Sequence, residues 1–137
     1  MKHITRPEKE ENWIPYNPMG AKGFSFIFEA LSTDYTDAYS IDLVKVDVGG
    51  FSPFHIDPDN HAFYVLEGEA EMVIAEERSI VRKGEIARIP MGVVHSIANC
   101  GNGPLLMLSI YDPPRDRSRQ KAAAAAQADV SAISHGG

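Results

Sequence analysis

The sequence predicts an all-β protein, a barrel or sandwich of short strands, and three observations lead there. Between Phe24 and Tyr111 apolar residues recur mostly with a period of two. The runs are short and evenly spaced, each bounded by Gly, Pro or Asn. No stretch inside that interval carries a helical period. The 137 residues suffice for one domain with a real core. They divide into a polar lead-in over 1–23, a strand region over 24–112 and an Ala-rich tail over 113–137.

The lead-in holds Pro7, Pro15 and Pro18, with Trp13 and Tyr16 as its large anchors. It is too irregular for a helix and is expected to lie across the strand region or a neighbouring subunit. FSFIFEA sets Phe24, Phe26 and Phe28 on one face of a strand. YSIDLVKVDV, residues 39–48, reads as a strand that ends in a turn at Gly49-Gly50. AFYVLEG and EAEMVIAEE meet at Glu67-Gly68 and read as a hairpin. SIVRKG, EIARIP, VHSIAN and PLLMLSIY complete the strands, and Pro113-Pro114 closes the region. The tail has good helix propensity from Gln120 to Ala128 but no apolar stripe, so a partial helix or a disordered extension without a catalytic role is expected.

Composition excludes several classes. Apolar residues are 44% and charged residues 23% of the chain, as in globular proteins, and no apolar run is long enough to cross a bilayer. Thirteen basic against 19 acidic residues give a net charge of −6, which argues against nucleic acid. Cys100 stands alone, so no internal disulfide forms, and MKHITRPEKEENW lacks the apolar stretch of a secretory signal. A cytoplasmic location is the resulting expectation.

The chemistry-bearing residues cluster in HIDPDNH. In extended backbone His55 and Asp57 share a face, Pro58-Asp59-Asn60 supply a turn, and His61 opens the next strand. His95, after the turn PMGV, can close the site from another strand. His55, Asp57, His61 and His95 can therefore point at one common spot. Imidazole with carboxylate suits Fe(II), Mn(II), Ni(II), Zn(II) or Cu(II).

These residues fall into two spaced motifs, and through them residues 40–111 resemble the cupin superfamily. Gly84, Pro90, Gly92, His95 and Asn99 match the pattern G(x5)PxG(x2)H(x3)N in full. Gly49 or Gly50, His55 and Gly68 fit the frame of G(x5)HxH(x3–4)E(x6)G, with Asp57 where the family has its second histidine and His61 where it has glutamate. The two departures offset each other, leaving three histidines and one carboxylate. The resemblance implies a small single-domain cupin, a jelly-roll (double-stranded β-helix) barrel with a metal near one open end. Asp57 is shorter than imidazole, so it either ligates or orients a histidine or a bound water.

Strand parity from His61 sends Phe63, Val65 and Glu67 inward and Ala62, Tyr64 and Leu66 outward. Phe26, Phe28, Phe63 and Met107 are candidates for pocket lining, along with Arg88. That arginine would hold a substrate carboxylate or phosphate, pair with Glu67 or Glu69, or face solvent. Some small lyases of the family place a tyrosine where Phe63 stands, which counts against a lyase here. Tyr64 points outward and Tyr111 lies at the barrel end, so no clear proton donor emerges, and no catalytic residue beyond the ligands is named. The reading favours a metal-dependent oxidoreductase, a dioxygenase-like enzyme with Fe(II) as the preferred ion, acting on a small organic molecule. A non-redox isomerase, cyclase or lyase and a non-catalytic ligand-binding module are the alternatives. A homodimer is expected, with the lead-in covering a sheet edge.

Overall fold

A computed structural model describes residues 2–126. Nine strands form the domain: β1 (Ile14–Pro15), β2 (Lys22–Leu31), β3 (Ser40–Phe51), β4 (Asn60–Glu67), β5 (Glu69–Ile74), β6 (Glu77–Arg82), β7 (Ile86–Ile89), β8 (His95–Asn99) and β9 (Leu105–Asp112). Every pairing is antiparallel. The order is β6-β5-β8-β3-β9-β4-β7, with β2 on β3 and β1 on β2, and the sheet curls into a nearly closed barrel. Single 3-10 turns at Glu10–Asn12 and Pro18–Gly20 break the lead-in. Helix covers residues 118–126, and the rest of the Ala-rich tail lies outside the described residues. No helix among the described residues is long and apolar enough to cross a membrane.

β2 forms as its alternation dictates. Phe24, Phe26 and Phe28 turn inward, and the Phe26 and Phe28 rings stack at 5.0 Å with 8° between their planes. Val46, Val65, Ala70, Leu105 and Met107 are fully buried in the barrel interior. Each such large apolar side chain contributes on the order of 1.5–3 kcal/mol by leaving water.

Three expectations about the strands need correcting. β3 does not end at Gly49-Gly50 but runs on to Phe51, which pairs with both Lys22 and Ala98. Gly50 is needed there for close approach: a Cβ would lie 2.6 Å from Val46 Cγ1 and 2.7 Å from the Lys22 carbonyl oxygen. β4 and β5 are contiguous yet form no hairpin. At Gly68 (φ +88°) the chain passes from the β4–β9 neighbourhood to the β5–β8 neighbourhood. The hairpin is β5–β6, turning at Ala75-Glu76 inside what reads as one strand. Glu67 does not follow the inward parity of Val65, because the β4–β9 register shifts between these residues and leaves Glu67 exposed.

The lead-in serves its own chain. β1 pairs with Phe26 and Ser25 of β2, and Tyr16 meets Phe26 and Phe28 edge-on at 5.8 Å.

Candidate metal centre

Two backbone ties bring the histidines together. His55 and His95 exchange N–H···O=C hydrogen bonds of 3.0 Å in an isolated bridge. One turn along, Gly92 N–H donates to the Asp57 carbonyl at 3.1 Å and Met91 N–H to Asn60 Oδ1 at 2.7 Å. The HIDPDN loop and the PMGV turn are thereby zipped edge to edge. His61, first inward residue of β4, sits opposite Tyr111 of β9.

The side chains converge on one oxygen. Asp57 Oδ2 lies 3.2 Å from His95 Nε2, 3.3 Å from His55 Nε2 and 3.5 Å from His61 Nε2. Donor atoms of His55, Asp57 and His95 all lie within 4.8 Å of one another, and His61 joins them 3.5 Å from Asp57, its ring 4.8 Å from that of His95. Asp57, the shortest of the four side chains, therefore stands at the centre of the cluster, with His61 the most distant of the three Nε2 atoms from Oδ2. The turn after His55 folds inward and supplies the reach that the side chain lacks.

Ring protonation is set from behind. Nδ1 of His55 lies 2.9 Å from the Pro53 carbonyl, and Nδ1 of His95 lies 2.9 Å from the Val93 carbonyl. A carbonyl only accepts, so both Nδ1 atoms carry hydrogen and both Nε2 lone pairs face the cluster. His95 is fully buried, and its Nε2 makes no hydrogen bond. A buried lone pair aimed at a carboxylate oxygen is repulsive unless a cation lies between them. Metal–ligand distances of about 2.0–2.2 Å place neighbouring ligands about 3–3.5 Å apart, the range of the three contacts on Asp57. The donor set and its spacing fit a divalent ion.

The electrostatics agree. Burial opposes the charge on Asp57, but the His55 and His95 imidazoles against it and the nearby Arg115 hold its carboxyl well below the usual range. Asp57 raises His55, because its negative charge favours a cation, proton or metal ion, at Nε2. Burial lowers His61 to about 4, so its ring is neutral at physiological pH.

Above the cluster opens a cavity of about 590 Å³, walled by Tyr16, Phe26, Phe63, Tyr111, Arg115 and Arg117 among others. Of the expected lining residues, Phe26 and Phe63 are there. Phe28 and Met107 are not: Phe28 packs behind Tyr16, and Met107 is fully buried in the core. Arg88 is also corrected. Ala87 and Ile89 point inward, so parity turns Arg88 to the exposed outer face, beside a separate groove with Ile110 and Asp112.

The arginines at the cavity come instead from the segment after β9. Arg115 forks onto Asp59, Nε to Oδ2 at 2.6 Å and Nη2 to Oδ1 at 2.9 Å, while Nη2 also lies 3.3 Å from Asp57 Oδ1. Its guanidinium stacks 4.0 Å over the Tyr111 ring. Arg117 donates from Nε to Asp42 Oδ2 at 2.9 Å and from Nη2 to the Tyr111 hydroxyl at 3.3 Å. Two signals for this were present in the sequence. Asp42 lies on an apolar strand and Asp59 in a turn beside ligands, and a buried carboxylate calls for a cationic partner.

A jelly-roll barrel with a histidine–carboxylate cluster at one end defines the class. The cupin domain profile matches residues 42–111, half of the chain, and the protein belongs to the cupin family. Over 52 residues it is 40% identical to the uncharacterized protein MJ1618 of Methanocaldococcus jannaschii, covering 38% of this chain and 42% of that one. The match thus spans less than half of that relative. Among solved structures, KdgF from Halomonas sp. is similar at TM-score 0.65 and 21% identity, covering 76% of this chain and 87% of that one. The polyketide cyclase RemF from Streptomyces resistomycificus is similar at TM-score 0.68 and 24% identity, covering 82% and 79%. At these identities the two structures share the fold.

Proposed function

We propose that the protein is a metal-dependent enzyme acting on a small organic molecule, with oxygenase chemistry on Fe(II) as the first reading. One observation carries it: two histidines with Nδ1 locked to backbone carbonyls aim Nε2 at the same oxygen of Asp57, below an apolar cavity. His55, His95, Asp57 and His61 would hold the ion. It supplies Lewis acidity and, as iron, one-electron chemistry toward O₂. The single carboxylate lowers the charge of a divalent site to +1. Tyr16, Phe26 and Phe63 exclude water, and about 590 Å³ suits a small substrate.

A second, non-redox reading gains from Tyr111. Its ring lines the cavity and its hydroxyl, protonated at neutral pH like any tyrosine, is made a weaker acid by burial. This is a candidate for the donor that an isomerase or cyclase requires. The homodimer is likewise a proposal. β1 already covers the β2 edge within the chain, so contact would fall on the outer face bearing Tyr64, Ile86 and Ile110. Light scattering giving twice the chain mass supports it, and a monomer at micromolar concentration contradicts it.

The experiment for function is elemental analysis of untagged protein with oxygen consumption on a panel of small enols, thiols and phenols. Oxygen uptake matched to substrate loss supports the first reading. Metal-dependent conversion without uptake selects the second, and bound metal with no turnover points to a binding module. Absence of metal contradicts both catalytic readings.

A further inference from the structure

The cavity wall and its counter-ions are separated. Apart from the histidines, its charged lining residues are Asp57, Arg115 and Arg117. The carboxylates hydrogen-bonded to the arginines, Asp59 and Asp42, are not part of the lining, whereas Asp57, 3.3 Å from Arg115 Nη2, is. Arg117 is buried and engaged by Asp42 and Tyr111. Arg115 differs. Its side chain is 23% exposed, Nε and Nη2 are committed to Asp59, and Nη1 makes no hydrogen bond among the described residues. Tyr16, Phe24 and Phe63 offer apolar surface in the same cavity, with Met19 and Phe54 exposed at its rim.

With a divalent ion on Asp57, the charges sum to +1, since Arg115 cancels Asp59 and Arg117 cancels Asp42. One negative charge balances this. A carboxylate supplies that single charge, and a phosphate dianion exceeds it. We propose that Arg115 determines specificity and that the substrate is a small monoanionic carboxylic acid with an apolar body, its carboxylate accepting from Nη1 of Arg115 in the cavity. The inference rests on the metal reading above. Arg115 lies in the C-terminal segment, beyond residues 42–111 matched by the cupin domain profile.

The test uses full-length, cobalt-loaded protein, titrated calorimetrically with benzoate, 2-naphthoate and their amides. Each acid is expected to bind at least about tenfold tighter than its amide, the scale of one charge-assisted hydrogen bond. The paired variant Asp59→Asn/Arg115→Gln removes both charges without leaving Asp59 unpaired, and should bring acid and amide within about twofold. Arg115→Lys should keep part of the preference and serves if the paired variant fails to fold. Equal binding of acid and amide, no binding of either, or a full preference in the paired variant overturns the proposal while cobalt uptake leaves the metal reading standing. Failure to take up cobalt defeats the metal reading itself, and the charge balance with it.

Discussion

Arg115 holds one oxygen of Asp57 while the histidines face the other: Nη2 lies 3.3 Å from Oδ1, and Oδ2 lies 3.2–3.5 Å from three Nε2 atoms. The carboxylate is thus oriented from outside the cluster, and the central donor is a residue whose side chain is the shortest of the four. Asp57→Ala should lower the affinity for Co(II) or Zn(II) by more than the about 10–100-fold typical of outer-sphere partners. His61→Ala, whose Nε2 lies farther from Asp57 Oδ2 at 3.5 Å, should cost less than His95→Ala at 3.2 Å. Competition with a fluorescent chelator measures all three. Retained affinity in Asp57→Ala with loss in His61→Ala would instead make this a three-histidine site.

Acid sensitivity follows from His61 in chelator-treated protein. Its folded value of about 4 lies below the free value of 6.5. Between those values the unfolded chain takes up a proton that the folded ring refuses, so stability falls as pH drops from 6.5 to about 4 and levels off below. The full difference corresponds to about 3 kcal/mol. Urea denaturation at pH 7 and 4.5 should show a larger loss for wild type than for His61→Gln. Equal losses would contradict the burial of a neutral ring.

Arg117 is the counter-charge for Asp42, whose side chain is 1% exposed. Arg117→Met leaves that carboxylate buried and unpaired, at a cost of about 3–5 kcal/mol. Asp42→Asn/Arg117→Met should recover most of the loss in a thermal melt. A single variant as stable as wild type would show that Asp42 finds water instead.

Much of this was legible in the sequence because it rests on local pattern. The Phe24, Phe26 and Phe28 alternation places β2, and the spacing of His55, His61 and His95 marks the cluster. What the pattern hides is where the chain changes neighbours. Gly68 reads as a hairpin turn, yet it hands the chain from one set of strands to another. Ala75 adopts φ 54° in a turn that its residue type does not announce. Arg88 and Arg115 show the same limit for the site. One of the roles open to Arg88 in the sequence, an anion held by guanidinium, is the one proposed for Arg115. Only the return of residues 113–117 across the barrel end puts an arginine at the cavity.

Met107 separates stability from site chemistry. It is fully buried away from the cavity, so Met107→Ala should cost about 2–5 kcal/mol in denaturant while cobalt affinity at low temperature stays within about twofold. A parallel loss of affinity would show that this part of the core reaches the cluster.

The metal centre is tested most directly by elemental analysis of untagged wild-type protein beside His95→Ala. One divalent ion per chain in the wild type, removed by chelator and absent from a folded His95→Ala, is the expected result. Folded wild-type protein that carries no metal and takes up none from Fe(II), Co(II) or Zn(II) would contradict it.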